Sequence, residues 1–448
     1  MNWKKILALA LLLAVLAMAI VYLERKEKGR QASEGILFAI AADAIDRIEL
    51  RNPEGDFVFT RREPLWQMEK PLAAKADKVA LESILDHFSR LQYDRLVAEE
   101  AGDLKAFGLD TPGIELKLFA KGQPAATIAL GVKNTLDDSS YAKLAGDGRV
   151  VSIAAFKRQD LEKGLLAFRD KKFFALDPLA VTSLEFRIGN AAVSLAKKDD
   201  RWFLEKPFFS LARESRISEL LAAASQLEAT SFAPAGEAGE RAAFGLDTPL
   251  LTAEFHTPSG SRRIAVGRQG ESHFALVDGS SEACGISGDF AGKFAADAVA
   301  WRENKVARFF AYDAREISFQ QGAFRFALRK DEAGNWDFLP PRPGMKPDGE
   351  KVDSLLTVLS GLEATDFYDE PGALPVVAAR VVIRTEDQVD PEQRRETVLE
   401  FGAAAGETVI VRDPSLPYSY RVRRETIEKL PAKIEDIAAA PPPPRAEK

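Results

Sequence analysis

The chain repeats itself. Ala106-Phe107-Gly108-Leu109-Asp110-Thr111-Pro112 recurs without change as Ala243-Phe244-Gly245-Leu246-Asp247-Thr248-Pro249. At nearly the same offset, Trp66-Gln67-Met68-Glu69-Lys70-Pro71 maps onto Trp202-Phe203-Leu204-Glu205-Lys206-Pro207, and Trp336-Asp337-Phe338-Leu339-Pro340-Pro341 gives a third, weaker match. This period is far longer than the roughly 20–50 residues of a solenoid repeat, so each copy must be a domain that buries its own core.

Each copy shows the same series of local patterns. Ile45 to Leu50 and Phe57-Val58-Phe59 alternate around the turn Asn52-Pro53-Glu54-Gly55-Asp56, a β-hairpin pattern. Leu184-Glu185-Phe186 with Ala192 to Leu195, and Ile317-Ser318-Phe319 with Phe324-Arg325-Phe326, repeat it. After each tryptophan comes an apolar stripe: Leu81, Ile84, Leu85, Phe88 and Leu91; then Ile217, Leu220, Leu221, Ala224 and Leu227; then Val352, Leu355, Leu356, Leu359 and Leu362. That spacing predicts one face of an amphipathic helix about four turns long. Further strands follow, Ile114 to Leu118 and Thr127 to Gly131 in the first copy, Leu251 to Phe255 and Arg263 to Gly267 in the second. The expected fold is α+β: three tandem antiparallel-sheet-plus-helix units over residues 43–170, 171–308 and 309–437. The third is degenerate. It lacks Gly-Leu-Asp-Thr-Pro and carries a charged insertion, Thr385 to Glu396, which reads as an exposed loop between Val381-Val382-Ile383 and Val398 to Phe401.

Both termini differ from this body. Ile6 to Leu23 is uncharged, follows Lys4-Lys5 and precedes a polar stretch; at 1.5 Å per residue it is long enough for a bilayer core. Residues 1–23 therefore read as a transmembrane signal anchor and 24–42 as a linker. A cleaved signal peptide is the competing reading, given Ala17-Met18-Ala19, but the apolar run continues past that site. More Lys and Arg follow the span than precede it, which taken literally favours a cytoplasmic body. Long domains translocate largely regardless of such charges, and a Lys-Lys start is what export machinery reads. The expectation is a single-pass inner (cytoplasmic) membrane protein, held through residues 6–23, with its body in the periplasm or outside the cell. Residues 438–448, with Pro441 to Pro444, read as a stiff extended tail.

Composition narrows the chemistry. A net charge of −7 argues against a nucleic-acid partner. One cysteine, Cys284, excludes an intramolecular disulfide framework and a Cys-rich metal site, and it reads as a small buried hydrophobe. The three histidines, His87, His256 and His273, are not at metal-ligand spacing. No Walker A, G-x-S-x-G, H-E-x-x-H or dinucleotide glycine pattern is present. Ser194-Leu195-Ala196-Lys197 fits Ser-x-x-Lys but falls on an expected strand without companion motifs, and Ser272-His273 has no identifiable orienting acid. No catalytic, metal or cofactor residue is expected.

The recurring residues read as structural. Gly108 and Gly245 suit left-handed caps, after which Leu109 and Leu246 fold back. Pro112 and Pro249 end the turn and launch the next strand, with Asp110 and Asp247 bonding their own backbone. Trp66, Trp202 and Trp336 read as core residues at one strand position, with Pro71 and Pro207 closing the strand, rather than as carbohydrate platforms.

Anchor, hairpin, Trp-x-(Leu/Met)-Glu-Lys-Pro, helix and Phe-Gly-Leu-Asp-Thr-Pro together resemble the bacterial family catalogued as domain of unknown function 4340, over roughly residues 1–435. Its specificity rests on Trp66 to Pro71, Phe107 to Pro112 and their second copies. The resemblance implies a membrane-anchored extracytoplasmic protein, often encoded beside an ABC-transporter permease, its ATPase and a gliding-motility-type auxiliary subunit. It supplies no catalytic residue and no ligand. The expected function is thus a non-catalytic accessory protein with a membrane-complex protein as partner. A periplasmic module binding cell-wall glycan or another polymer is the alternative, and an enzyme of unrecognised type a third.

Overall fold

The computed structural model describes residues 35–134, 138–368, 376–386 and 394–440. The expected anchor over residues 6–23 lies outside the described residues, as do residues 441–448 of the tail and the centre of the insertion, 387–393. Among the described residues no helix is long and apolar enough to cross a membrane. The described chain is mostly antiparallel sheet with few helices.

It divides into two compact units. One holds the residues up to Phe174 with Leu227–Ala233 and Cys284–Ile286; the other holds the rest.

The first copy opens with β1 (Gly35–Ala39), β2 (Ile45–Asn52), β3 (Gly55–Arg62), β4 (Leu65–Lys70) and β5 (Ala74–Lys75). The helix α1 (Lys78–Phe88) follows, and then β6 (Arg90–Tyr93) and β7 (Arg95–Ala98). The copy continues through β8 (Ile114–Ala120), β9 (Gln123–Asn134), β10 (Ser139–Leu144), β11 (Val150–Ala154) and the short helix α2 (Ala155–Leu161). Nine of these strands form one sheet in the order β5-β4-β3-β2-β8-β9-β10-β11-β7. Two four-stranded meanders meet at the β2–β8 pair, and β7, the second strand after the helix, lies at the far edge, against β11.

The same order returns twice. The second copy contains β12 (Ser183–Ile188), β13 (Ala191–Lys198), β14 (Arg201–Lys206), β15 (Ser210–Leu211), the helix α3 (Glu214–Ser225) and β16 (Ser231–Pro234). With β17 (Leu251–Thr257), β18 (Gly260–Gln269), β19 (Ser272–Val277) and β20 (Glu282–Ile286) its order is β15-β14-β13-β12-β17-β18-β19-β20-β16. The third copy contains β21 (Ala314–Gln321), β22 (Phe324–Lys330), β23 (Trp336–Phe338), the helix α4 (Gly349–Ser360) and β24 (Asp366–Tyr368). With β25 (Val377–Glu386), β26 (Arg394–Gly402), β27 (Thr408–Arg412) and β28 (Ser419–Arg423) its order is β23-β22-β21-β25-β26-β27-β28-β24, one edge strand short.

Local chemistry accounts for the elements. The β2–β3 hairpin closes because Asn52 Oδ1 accepts from the amides of Glu54 and Gly55, an Asx turn, while its Nδ2 donates to the carbonyls of Leu161 and Lys163. Helix α1 starts where Asp77 accepts from Ala80 N at 2.7 Å, and α4 starts where Asp348 accepts from Glu350 N and Lys351 N. Ala80, Leu81, Ile84, Leu85 and Phe88 of α1 are buried in a cluster with Ile48, Leu50, Leu116, Leu118, Ile128 and Leu130 of the sheet. Each copy closes through the same bond from the helix N-cap: Asp77 N to Phe168 O (2.9 Å), Arg213 N to Trp301 O (2.8 Å) and Asp348 N to Ile437 O (2.9 Å).

Four expectations need correction. The helices span 11, 12 and 12 residues, about three turns. Leu91, Leu227 and Leu362 lie beyond their ends, although all are buried, because the chain leaves the helix one turn early and keeps its apolar side on the core. The linker ends before Gly35, since β1 pairs with β6 and buries Leu37. The tail begins after Ala438, which is buried and bridges to Pro347. Finally, strand pairing runs into both ends of the insertion, Thr385 facing Arg395 and Glu386 facing Arg394.

Candidate functional site

The recurring residues occupy matching places. Trp66, Trp202 and Trp336 retain 5%, 7% and 6% exposure. The Lys70–Pro71, Lys206–Pro207 and Leu339–Pro340 peptide bonds are all cis. Gly108 and Gly245 have φ of 64° and 68°, which a Cβ disfavours. Leu109 N then reaches Leu104 O at 3.0 Å and Leu246 N reaches Arg241 O at 2.9 Å, each leucine being buried. Both turns lie on a sheet glycine that sequence reading passed over. A Cβ on Gly131 would sit 1.9 Å from Phe107 O, and one on Gly267 would sit 2.3 Å from Phe244 O. Pro112 and Pro249 precede β8 and β17. Asp110 and Asp247 are exposed. The expected backbone bond is replaced at Asp247, whose carboxylate faces the Arg241 guanidinium at 3.5 Å because the preceding turn carries that arginine alongside. None of these eleven positions lines either of the two clefts described below.

The polar cluster with site character lies elsewhere in the first copy. Helix α1 carries Ser83 and His87 one turn apart, and α2 brings Asp160 against them. Asp160 Oδ2 accepts from Ser83 Oγ at 2.7 Å and from His87 Nδ1 at 2.6 Å, and its Oδ1 accepts from Lys163 Nζ at 2.7 Å. Burial pushes the Asp160 carboxyl up, but the donors Lys163, Ser83 and His87 outweigh it and hold it below the ordinary aspartate value. The carboxylate thereby orients the imidazole, leaving Nε2 as the ring nitrogen it does not engage.

His87 lines a cleft of about 570 Å³ with Asp86, Arg90, Asp94, Phe156 and Lys157. The Phe156 ring meets the imidazole edge-on at 5.0 Å. Lys157 is 8% exposed and donates to Gln92 O at 2.6 Å. Burial pulls its ammonium below the usual lysine value, against the opposing charge of Asp94. The arrangement sets an imidazole held by a carboxylate and a largely desolvated ammonium on the wall of one cleft. Ser83 donates to Asp160 and not to His87, so the three do not form a nucleophile relay. Among the described residues no group of three or more His, Cys, Asp and Glu side chains could hold a metal ion.

This cluster is confined to one copy. Counting back from Phe168 and Trp301, the place of Asp160 falls to Lys293 in the second copy, where it pairs with Glu219 of α3. We expect Asp160→Asn to flatten the acid limb of stability. A depressed carboxyl stabilises above its unfolded value near pH 4 and loses that contribution as pH falls through the folded value. Urea unfolding between pH 7 and about pH 3 should show the wild type losing more stability than the variant, and equal slopes would refute the account.

Sheet order, repeated turns and buried tryptophans define a class: tandem α+β sheet domains whose recurring residues serve the fold. The family described as "Domain of unknown function (DUF4340)" matches this chain twice, over residues 66–249 and 202–377. The chain belongs to that family. Each match starts at a recurring tryptophan, and the first ends at Pro249. No curated protein matches. Among solved structures, a DNA polymerase sliding clamp from Pseudomonas aeruginosa is similar at 8% identity, with 86% of this chain and 92% of that one covered, at a TM-score of 0.14. The DNA polymerase III beta subunit from Thermotoga maritima is similar at 9% identity, with 85% and 90% covered, at a TM-score of 0.13. Likeness of that degree carries no argument about fold or function.

Proposed function

We propose that the protein is a non-catalytic, membrane-anchored extracytoplasmic accessory protein that docks its array of sheet domains onto a membrane complex of the ABC-transporter or gliding-motility type. The observation that carries this reading is the division of labour between repeated and unrepeated residues. Most of what recurs is buried or in turns, as with Trp66 and Trp202 or Gly108 and Gly245, while equivalent polar places differ, Ser83 with Asp160 in one copy and Glu219 with Lys293 in the next. Repetition of a frame with divergence of its faces suits a scaffold that offers several surfaces to partners. The uncharged run from Ile6 to Leu23 supplies the tether.

Two measurements test it together. Alkaline phosphatase fused after Lys448 should be active, and the protein should stay in the pellet after a carbonate wash. Photo-crosslinkers on the exposed faces of intact cells should capture integral membrane proteins at a few positions. An inactive fusion with a fluorescent cytoplasmic reporter would overturn the orientation; crosslinks to no membrane protein would overturn the partner.

One observation favours the glycan alternative. Phe310 and Tyr312 are 64% and 57% exposed, stacked at 5.3 Å, and line a cleft of about 630 Å³ in the third copy. Aromatic faces of this kind suit sugar rings. Retention of the protein on purified cell-wall glycan, lost in Phe310→Ala/Tyr312→Ala, would favour that reading over the adaptor.

A further inference from the structure

The segment that closes each copy carries a side chain immediately after the residue whose carbonyl caps the long helix. Following Phe168, Trp301 and Ile437, those residues are Arg169, Arg302 and Ala438. A second set of equivalent places lies at the start of the far-edge strand. There Asp94 N bonds Ser152 O, Thr230 N bonds Gly285 O, and Thr365 N bonds Arg421 O, at 2.9, 2.8 and 2.7 Å. Two residues further on stand Leu96, Phe232 and Phe367.

These two sets meet. The Arg169 guanidinium lies 3.6 Å from the Phe232 ring centre, and that of Arg302 lies 3.7 Å from Phe367. Both arginines are buried, at 8% and 2% exposure. Arg302 also faces Phe208 at 4.7 Å and Tyr418 at 5.0 Å, and its Nε donates to Ser210 Oγ at 3.2 Å. Beside it the strap leaving the second copy is stitched to the third by Ala364 N to Asn304 O at 2.8 Å and Val306 N to Leu362 O at 3.0 Å. Leu211 N, bonded to Tyr418 Oη at 3.0 Å, adds a further link. A planar guanidinium stacks on aromatic faces and is less costly to desolvate than an ammonium, so an arginine is suited to this place and a lysine is not.

We propose that this arginine–phenylalanine contact is the docking element between one copy and the next. The first copy has Leu96 where an incoming arginine would need a ring. The third has Ala438 where an outgoing arginine would stand. The partner each site fits is therefore the closing strap of the preceding copy in the same chain.

Amide hydrogen exchange on the full-length protein tests this at the second-to-third junction. Arg302→Ala should speed exchange at Val306 and Ala364 about tenfold, the scale of one desolvated cation–π contact, and leave Leu116 and Leu118 in the first copy unchanged. Arg302→Lys should fall between the two. Phe367→Leu installs the residue that the first copy carries, keeps the site apolar and should reproduce the same local opening, with β21 and β25 still protected. The double variant should exchange no faster than the faster single one. Unchanged exchange in Arg302→Ala, multiplicative effects in the double variant, or loss of protection throughout the third copy in Phe367→Leu would each overturn the proposal.

Discussion

Trp66→Ala is expected to cost the first copy about 3–5 kcal/mol, from lost transfer energy and the cavity left among residues that cannot close over it. Trp66 is 5% exposed and belongs to the cluster that joins the sheet to α1, with the Arg61 guanidinium 5.8 Å from its ring on the outer side. For a body of this size the unfolding transition of the first unit should drop by roughly 10 °C in calorimetry. A carbohydrate platform would behave otherwise: truncation would leave the transition in place and abolish sugar binding. An unmoved transition would remove the structural reading of the recurring tryptophans.

The second large effect is expected where two glycines meet. Gly131→Val must push the Phe107 carbonyl away from the place its Cβ needs, and Gly267→Val must do the same to Phe244 and Gly245. Overpacking against backbone cannot be relieved by a rotamer change, so a loss of about 3 kcal/mol or more is expected, with poor yield of folded protein. Asp110→Asn, at an exposed place in the same turn, should stay within about 0.5 kcal/mol. Comparing melting temperatures of these variants decides the matter. A stable Gly131→Val protein would show that the turn is free to lift off the sheet.

Gly131 illustrates what the sequence could and could not disclose. Gly108 announces itself because a left-handed cap is a local demand, followed at once by Leu-Asp-Thr-Pro, and its φ of 64° meets that demand. Gly131 answers a contact from a turn more than twenty residues away, which no local pattern records. The hairpins, the helix faces and the repeat were legible for the first reason. Three things escaped for the second: the pairing of β7 with β11, the passage of β1 alongside β6, and the approach of Asp160 to His87. His87 offered no signal at all, because its partner sits on another helix and the second copy has a lysine in that partner's place. The arginine straps do share flanking sequence, Ala-Phe-Arg-Asp-Lys-Lys at 167–172 against Ala-Trp-Arg-Glu-Asn-Lys at 300–305, but the rings they reach lie more than sixty residues further along the chain, which no local pattern records.

The placing of the final strand sets an order of events for synthesis. Val151 of β11 pairs with Leu96 of β7, and the β2–β8 pair, Ile48 against Leu118, spans a comparable length of chain. Such non-local pairings raise contact order and slow the search for the native state. On a ribosome, the edge formed by β7 waits unpaired until the whole second meander has emerged, and a chain halted before β11 presents that edge to any passing strand. Every copy carries the same interval of vulnerability, renewed as β16 waits for β20 and β24 for β28. Stop codons or cleavage just upstream of a terminal strand should therefore yield aggregation rather than a shorter folded array, whereas breaks after Phe168 or Trp301 fall where a sheet is already complete.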